Sequence, residues 1–317
     1  MKNKIKNNIK NNIKNNIKNN ISIGTWNIFN GCSYGFSILY DSVRLQKIVD
    51  NIKNSKLDII GLQEVNNIAL VDLLKKNCGE KYLFFYKEKN LYLQQIILGI
   101  ILFIIYYFIK DTILLCCSFL FINFIFKNTT FYNFSMGEVS GGLLLLVKKE
   151  LIENNCDNFE YKNYECQDGD YLNILNKRGY QKINIKFLKK DIVIYNTHLN
   201  CSLNKCKNRE NQIEELLKKS ENEKKVILLG DFNTIKEYDE INLNKYNFID
   251  TINNDKDITW DTKNNLTNIL FTNPVDSRID YIFIKNCQFE NSKIIFNNEN
   301  TASDHYGVMT EICLKNK

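Results

Sequence analysis

KVILLGDFNT, at residues 225–234, reads as a buried strand that stops abruptly. Residues 226–229 are four apolar side chains with β-branched Val226 and Ile227 at the front, and the turn formers Gly230-Asp231-Phe232-Asn233 follow at once. A strand ending this way sets a carboxylate and a carboxamide two residues apart at one sheet edge. Enzymes of the α/β class build sites like this. Gly, Asp and Asn are also the commonest turn residues, so taken alone the stretch also fits an ordinary strand and turn.

Outward from it, three more strand-like stretches finish in polar groups: residues 21–28 contain Thr25-Trp26-Asn27, 57–62 lead into Gln63-Glu64, and 192–195 lead into Asn196-Thr197-His198-Leu199. Toward the C-terminus, Arg278-Ile279-Asp280-Tyr281 opens the apolar run 282–284, and Ser303-Asp304-His305 precedes the last strand-like segment. The chain holds only two histidines, His198 and His305, and both fall in these stretches. Carboxylates, carboxamides and two imidazoles converging on one sheet edge suit a hard cation and phosphate-ester chemistry, since Mg²⁺ takes few protein oxygens and leaves room for substrate phosphate.

TWN, QE, THL, GDFN, RIDY and SDH, in that order, resemble the motifs of the endonuclease/exonuclease/phosphatase superfamily, the fold of DNase I, apurinic endonucleases, inositol polyphosphate 5-phosphatases and neutral sphingomyelinases. The likeness runs from about residue 21 to the C-terminus, with one large interruption. It implies an α/β fold: a two-sheet β-sandwich flanked by helices, the DNase I-like four-layer sandwich. Such a fold serves several substrates.

Composition fits one domain assembled from the whole chain, because the motifs are scattered from Asn27 to His305 of 317 residues. Ten cysteines lack paired metal spacing and no signal-peptide pattern opens the chain, so they read as idle thiols of a reducing compartment. Residues 1–20 repeat IKNN and form an Asn/Lys-rich low-complexity tail, either a basic arm for anionic lipid or nucleic acid or, the favoured reading, a compositional bias of no function. Its six lysines account for the entire net charge of +6. The remaining body, 21–317, is formally neutral, which speaks against a protein built to neutralise a phosphate backbone.

Residues 41–54 place Val43, Leu45, Ile48, Val49 and Ile52 at helical spacing, and 66–76 read as a second helix. The pattern then breaks. Residues 91–126 are almost wholly apolar, with only Lys110 and Asp111 charged. The first arm, 91–109, would be about 28 Å long as a helix, close to the thickness of bilayer hydrocarbon, and the second, 113–126, only about 21 Å. A single crossing would part Asn27 and Glu64 from Asp231 and His305. The favoured reading of 91–127 is therefore a membrane-associating helical hairpin or interfacial insert, set against a buried core hairpin. A strand at 143–147 behind Gly141-Gly142 resumes the sheet. Arg209 and Gln212 sit at the start of a helix, as a solvated helix end or as the family's Arg and Gln. Thr259-Trp260-Asp261 with Asn265 resembles a loop bordering substrate.

Hydrolysing a phosphodiester needs a cation, a positioned water and a proton for the leaving oxygen. By chemistry and resemblance together, Glu64 is the expected first metal ligand, Asn27 holds metal or phosphate, and Asp304 completes a second metal contact. His305 is the expected general base, oriented by Asp280, with Asp231 as the other candidate for that role. Asp231 and Asn233 position water or phosphate, and His198 contacts a phosphoryl oxygen or assists the leaving group. The cofactor expected is Mg²⁺, with Mn²⁺ as its substitute. The expected function is a membrane-associated phospholipid phosphodiesterase resembling neutral sphingomyelinase, its catalytic domain on the cytoplasmic side. The alternatives are a tethered nuclease, a phosphoinositide or inositol-phosphate phosphatase, and a non-catalytic scaffold, which the complete motif set opposes.

Overall fold

The computed structural model describes residues 20–29, 42–89, 139–152, 159–167, 177–201, 206–234, 243–252, 254, 257–270, 275–297 and 301–313. The tail up to residue 19 and the apolar insert expected at 91–127 lie outside them. Among the described residues no helix is long and apolar enough to cross a membrane.

One six-stranded sheet contains β1 (Asn20–Asn27), β2 (Ile59–Gln63), β3 (Tyr82–Phe85), β4 (Leu144–Lys148), β11 (Gln288–Ile295) and β12 (Gly307–Cys313), in the order β11-β12-β1-β2-β4-β3. A second contains β5 (Glu160–Asn163), β6 (Gly179–Phe187), β7 (Lys190–His198), β8 (Val226–Asp231), β9 (Ile249–Asp250) and β10 (Asp280–Lys285), in the order β5-β6-β7-β8-β10-β9. Both sheets are mixed. The parallel pairs β1/β2 and β7/β8 need crossover connections, and helices α1 (Ser42–Asn54) and α3 (Cys206–Lys219) lie in them. Helix α2 (Ile68–Cys78) follows β2, and the short α4 (Asn265–Leu270) precedes β10.

Strand periodicity sorts the side chains into layers. Ile21, Ile23, Ile59, Leu145, Val147, Ile192, Ile194, Ile227, Leu229, Ile282 and Ile284 form one buried cluster between the sheets. Their alternates on the first sheet, Trp26, Ile60, Leu62, Leu144 and Leu146, pack against Ile48, Val49 and Ile52 of α1 and Leu70, Val71 and Leu74 of α2. Those on the second, Tyr195, Val226, Leu228, Tyr281 and Phe283, pack against Ile213, Leu216 and Leu217 of α3. The result is the four-layer α/β sandwich, in which each fully buried Ile or Leu contributes about 1.5–3 kcal/mol.

Three local details differ from the sequence expectation. Val43 is 60% exposed, and the face of α1 is completed by buried Arg44, whose Nη1 donates to Ile28 O at 3.0 Å and Ala302 O at 2.8 Å. Asn20 belongs to β1, opposite Cys313, and not to the tail. Strand β8 continues through Gly230 to Asp231, because Gly230 adopts φ 150° where a Cβ would lie 2.0 Å from Thr197 O. Cys78, Cys166, Cys201, Cys287 and Cys313 are free thiols.

Candidate active site

The inward-facing rows of the strands change character along their length. Apolar at one end of the sandwich, they pass through a layer of amides and end in charge. Thr25, Gln63, Gln181 and Asn196 form the amide layer, all fully buried. Gln63 Nε2 donates to Asn196 Oδ1 across the two sheets at 2.7 Å and to Thr25 Oγ1 at 2.9 Å. Asn196 Nδ2 donates to Gln181 Oε1 at 3.0 Å. Paired amides cost little inside a core, whereas a half-satisfied set costs much.

Two residues further along the same rows stand Asn27 of β1 and His198 of β7, with Asp231 of β8 one position beyond Gly230. Antiparallel β10 starts with Asp280 opposite Asp231. The turn before β12 adds Ser303, Asp304 and His305, fixed by bonds from Ser303 Oγ to Asn27 O at 2.6 Å and from Trp26 Nε1 to His305 O at 3.0 Å. Glu64, just past β2, has φ 59°. A left-handed turn at a non-glycine residue costs about 1–3 kcal/mol and persists only where its surroundings enforce it. Gly142 packs under this turn: a Cβ there would lie 3.2 Å from Glu64 Cα.

His305 Nδ1 lies 2.9 Å from Asp280 Oδ2, and its Nε2 lies 4.0 Å from Asp231 Oδ2. His198 Nε2 lies 3.3 Å from the same Asp231 Oδ2. Asn27 Nδ2 donates to Asp231 Oδ2 at 2.9 Å and to Glu64 Oε1 at 3.2 Å, while its Oδ1 accepts from Phe29 N at 3.0 Å. Asn27 therefore spans two carboxylates. Asn233 folds back, its N donating to Asp231 Oδ1 at 2.8 Å and its Nδ2 to Leu199 O at 3.0 Å, so it ties the loops after β7 and β8 together.

Burial and charge separate these groups. Burial, then the Asp280 charge, pushes the Asp231 carboxyl up to about 7, against the pull of His305, Asn27 and the Asn233 amide. Burial pushes Asp304 up to about 6; His305 opposes the shift and Glu64 adds to it. Burial works against a charge on His305, yet Asp280, Asp304 and Asp231 together hold it well above the ordinary imidazole range. Burial, then Arg178 and His305, holds His198 well below that range. The surroundings thus favour the charged form of His305 and the neutral form of His198.

Asp231, Asp280 and His305 bring three ligand atoms within 4.8 Å of one another, a buried group able to hold a metal ion among the described residues. Asp280 Oδ2 and His305 Nδ1 already satisfy each other. Asp280 Oδ1 is buried without a hydrogen-bond partner, and Glu64 and Asp304 repel, so the site carries negative charge in excess. Four carboxylates and no thiol make a donor set for a hard divalent cation.

All eight expected site residues thus come to one end of the sandwich. The loop of Thr259 and Trp260 lies against the site: Trp260 Nε1 donates to Asp304 Oδ2 at 3.4 Å, and Thr259 Oγ1 accepts from Asp280 N at 3.2 Å. Arg209 and Gln212 are buried, not solvated; Gln212 Oε1 accepts from Asn200 N at 3.1 Å and Arg209 Nη1 donates to Asn200 O at 3.5 Å, bracing the loop after His198. One residue escaped the sequence reading. Arg178 lies 2.6 Å from His198 Nδ1 through Nη1, brought there because β6 and β7 pair Gly179 with His198. Only that register, invisible in the sequence, could have marked it.

Several solved structures share this architecture. A D. rerio TDP2 complexed with a single-strand DNA product superposes with a TM-score of 0.61 at 17% identity, covering 92% of this chain and 98% of that one. An endonuclease/exonuclease/phosphatase family protein from Leptotrichia buccalis gives 0.59 at 20% identity, over 92% and 99%. A beta toxin from Staphylococcus aureus gives 0.58 at 14%, over the same shares. Likeness at such identities shows the fold. Among curated proteins no sequence match is found. Residues 24–305, spanning every motif from β1 to His305, match the endonuclease/exonuclease/phosphatase family profile. With the sandwich, the paired imidazoles and the carboxylates in place, the chain is a phosphoric ester hydrolase that belongs to the endonuclease/exonuclease/phosphatase family.

Proposed function

We propose that the chain is a Mg²⁺-dependent phosphodiester hydrolase acting on a phospholipid at a membrane surface, in which Asp231 takes the proton of the attacking water and His305 protonates the leaving oxygen. The observation that carries the proton roles is the approach of Asp231 to two unlike imidazoles, 3.3 Å from His198, whose Nδ1 meets Arg178, and 4.0 Å from His305, whose Nδ1 meets Asp280. Above about pH 7 Asp231 is a carboxylate with room to accept a proton, while His305 holds a proton to give. This inverts the sequence expectation of His305 as base. An imidazolium bonded to Asp280 offers no lone pair.

Glu64 and Asp304, with Asn27 beside them, are the residues that would hold Mg²⁺. Bound there, the ion offsets charge on the phosphoryl oxygens. Glu64, Asp231, Asp280 and Asp304 otherwise leave the site too negative to receive a phosphodiester. His198 and the Asn27 amide bring N–H groups to Asp231 Oδ2.

Two features support a lipid substrate: the apolar sequence 91–126 and the formally neutral body. Glu88 bridges Val139 and Ser140 N donates to Lys87 O at 2.8 Å, so the chain leaves β3 and returns to β4 at one point. The apolar stretch therefore joins two neighbouring points of the first sheet, and its composition is what supports a membrane-facing role. A nucleic-acid substrate is the second reading, favoured by the likeness to a TDP2 structure complexed with single-strand DNA product. The test is phosphorylcholine release from sphingomyelin vesicles, run beside cleavage of a single-stranded oligonucleotide, with Mg²⁺ and with His305→Ala as the blank. Release that vanishes in the variant is expected. Oligonucleotide cleavage alone would overturn the lipid assignment, and neither activity would overturn both.

A further inference from the structure

Arg178 is clamped by its backbone at the start of β6. Its N donates to Gln167 Oε1 at 2.9 Å, and its O accepts from Gln167 Nε2 at 2.8 Å and from Tyr164 N at 3.1 Å. Register then places its guanidinium against His198, Nη1 to Nδ1 at 2.6 Å, with Nε buried and unpartnered. A guanidinium carries donors only and keeps its proton at any working pH. Nδ1 of His198 must therefore be the acceptor and bear no hydrogen.

Resting on the hydrolase reading above, we propose that Arg178 is a positioning residue that locks His198 as the neutral tautomer with hydrogen on Nε2, so that His198 gives a hydrogen bond toward Asp231 and the phosphate but never a proton. The groups facing this ring are Arg178 at Nδ1, Asp231 at Nε2, and His305, which also approaches Asp231. Protonating Nδ1 would set a second cation against the guanidinium. Giving up the Nε2 hydrogen would leave an imidazolate, which water at neutral pH does not permit. The two histidines divide the work accordingly. His305 has a carboxylate at Nδ1, whereas His198, with a guanidinium at Nδ1, holds a fixed hydrogen on Nε2. A tautomer flip would turn a lone pair toward the Asp231 carboxylate, repel it, and remove a donor from the site.

Because the chain has only two histidines, ¹⁵N-histidine labelling of the full chain gives a spectrum of two rings, assigned with His305→Ala. Between pH 6 and 8 the wild type is expected to show the His198 ring with Nδ1 bare and Nε2 protonated. In Arg178→Met the His198 ring should average between tautomers and titrate, and Arg178→Lys, which keeps a cationic donor, should restore the single tautomer. On bis(p-nitrophenyl) phosphate with Mg²⁺, kcat should fall on the order of 100-fold in Arg178→Met, the scale of a misplaced catalytic group, with KM little changed and partial recovery in Arg178→Lys. Hydrogen on Nδ1 of His198 in the wild type, an unchanged tautomer in Arg178→Met, or an unchanged kcat would each overturn the proposal. The ring spectrum needs no substrate, so a wild type with the expected tautomer and no hydrolysis would sink the hydrolase reading instead. Should Arg178→Met fail to fold, the wild-type spectrum alone still decides the tautomer.

Discussion

Asp231 is buried next to Asp280 and the two imidazoles, and burial with the Asp280 charge sets its titration. Its carboxyl is pushed up to about 7 by burial and by Asp280, whereas an unfolded aspartate titrates near about 3.9. From about pH 4 to about 7 the native state therefore binds a proton that the unfolded chain has released, so stability must fall as pH rises across that window. Against an Asp231→Asn variant, which cannot titrate, metal-free wild type should lose melting temperature steadily over the same range and level off above it; a difference that stays flat with pH would contradict the assignment. His198 acts in the opposite sense. With its native value below about 6.5, the unfolded chain takes the proton first and stability falls as the solution is acidified. Little of this was legible in the sequence. Residue types and order located Asp231, Asp280 and His305, but which imidazole is charged depends on Arg178 and Asp280, partners 20 and 25 positions away in the chain.

Strand rows that run from isoleucine through amide to carboxylate link the core to the chemistry. Ile227, Leu229 and Asp231 are successive inward positions of β8, and Ile192, Ile194, Asn196 and His198 those of β7. Packing of the apolar end thus fixes where the polar end points. The hinge of this arrangement is Gly230, where any side chain would enter the Thr197 carbonyl of β7. Gly230→Ala should therefore cost roughly 3 kcal/mol or more and shift Asp231, read as a lowered chemical-denaturation midpoint together with weakened catalysis. A variant as stable and active as wild type would show that β7 and β8 are not held this closely. Apolar runs with polar ends marked these strands correctly, because burial on both faces writes itself into composition. The glutamines and asparagines of the amide layer were not read as structural, since only the facing sheet gives Gln63 and Asn196 their partners. Arg44 escaped for a like reason: a charged residue inside a helix face is buried only where carbonyls from two other loops wait for it.

At the scale of the molecule, one sandwich carries the chemistry and one insert outside the described residues supplies the apolar sequence. The bridge between Glu88 and Val139 closes the sandwich without it. Replacing residues 90–138 by a short Gly/Ser linker should leave a folded protein that still cleaves a water-soluble diester but has lost most of its binding to phospholipid vesicles, measured by co-sedimentation. Vesicle binding that survives the deletion would detach the insert from the membrane role. The central claim is that this buried group of carboxylates and imidazoles hydrolyses phosphodiesters with a divalent cation. Its most direct test is hydrolysis of bis(p-nitrophenyl) phosphate by the whole chain, titrated with Mg²⁺ after chelation, for wild type, Glu64→Ala, Asp231→Asn and His305→Ala. Activity should appear with the cation and fall roughly 100-fold or more in each variant, the scale of losing one acid, base or cation ligand, while melting shows all four folded. Turnover without the cation, or undiminished in any folded variant, would contradict the account.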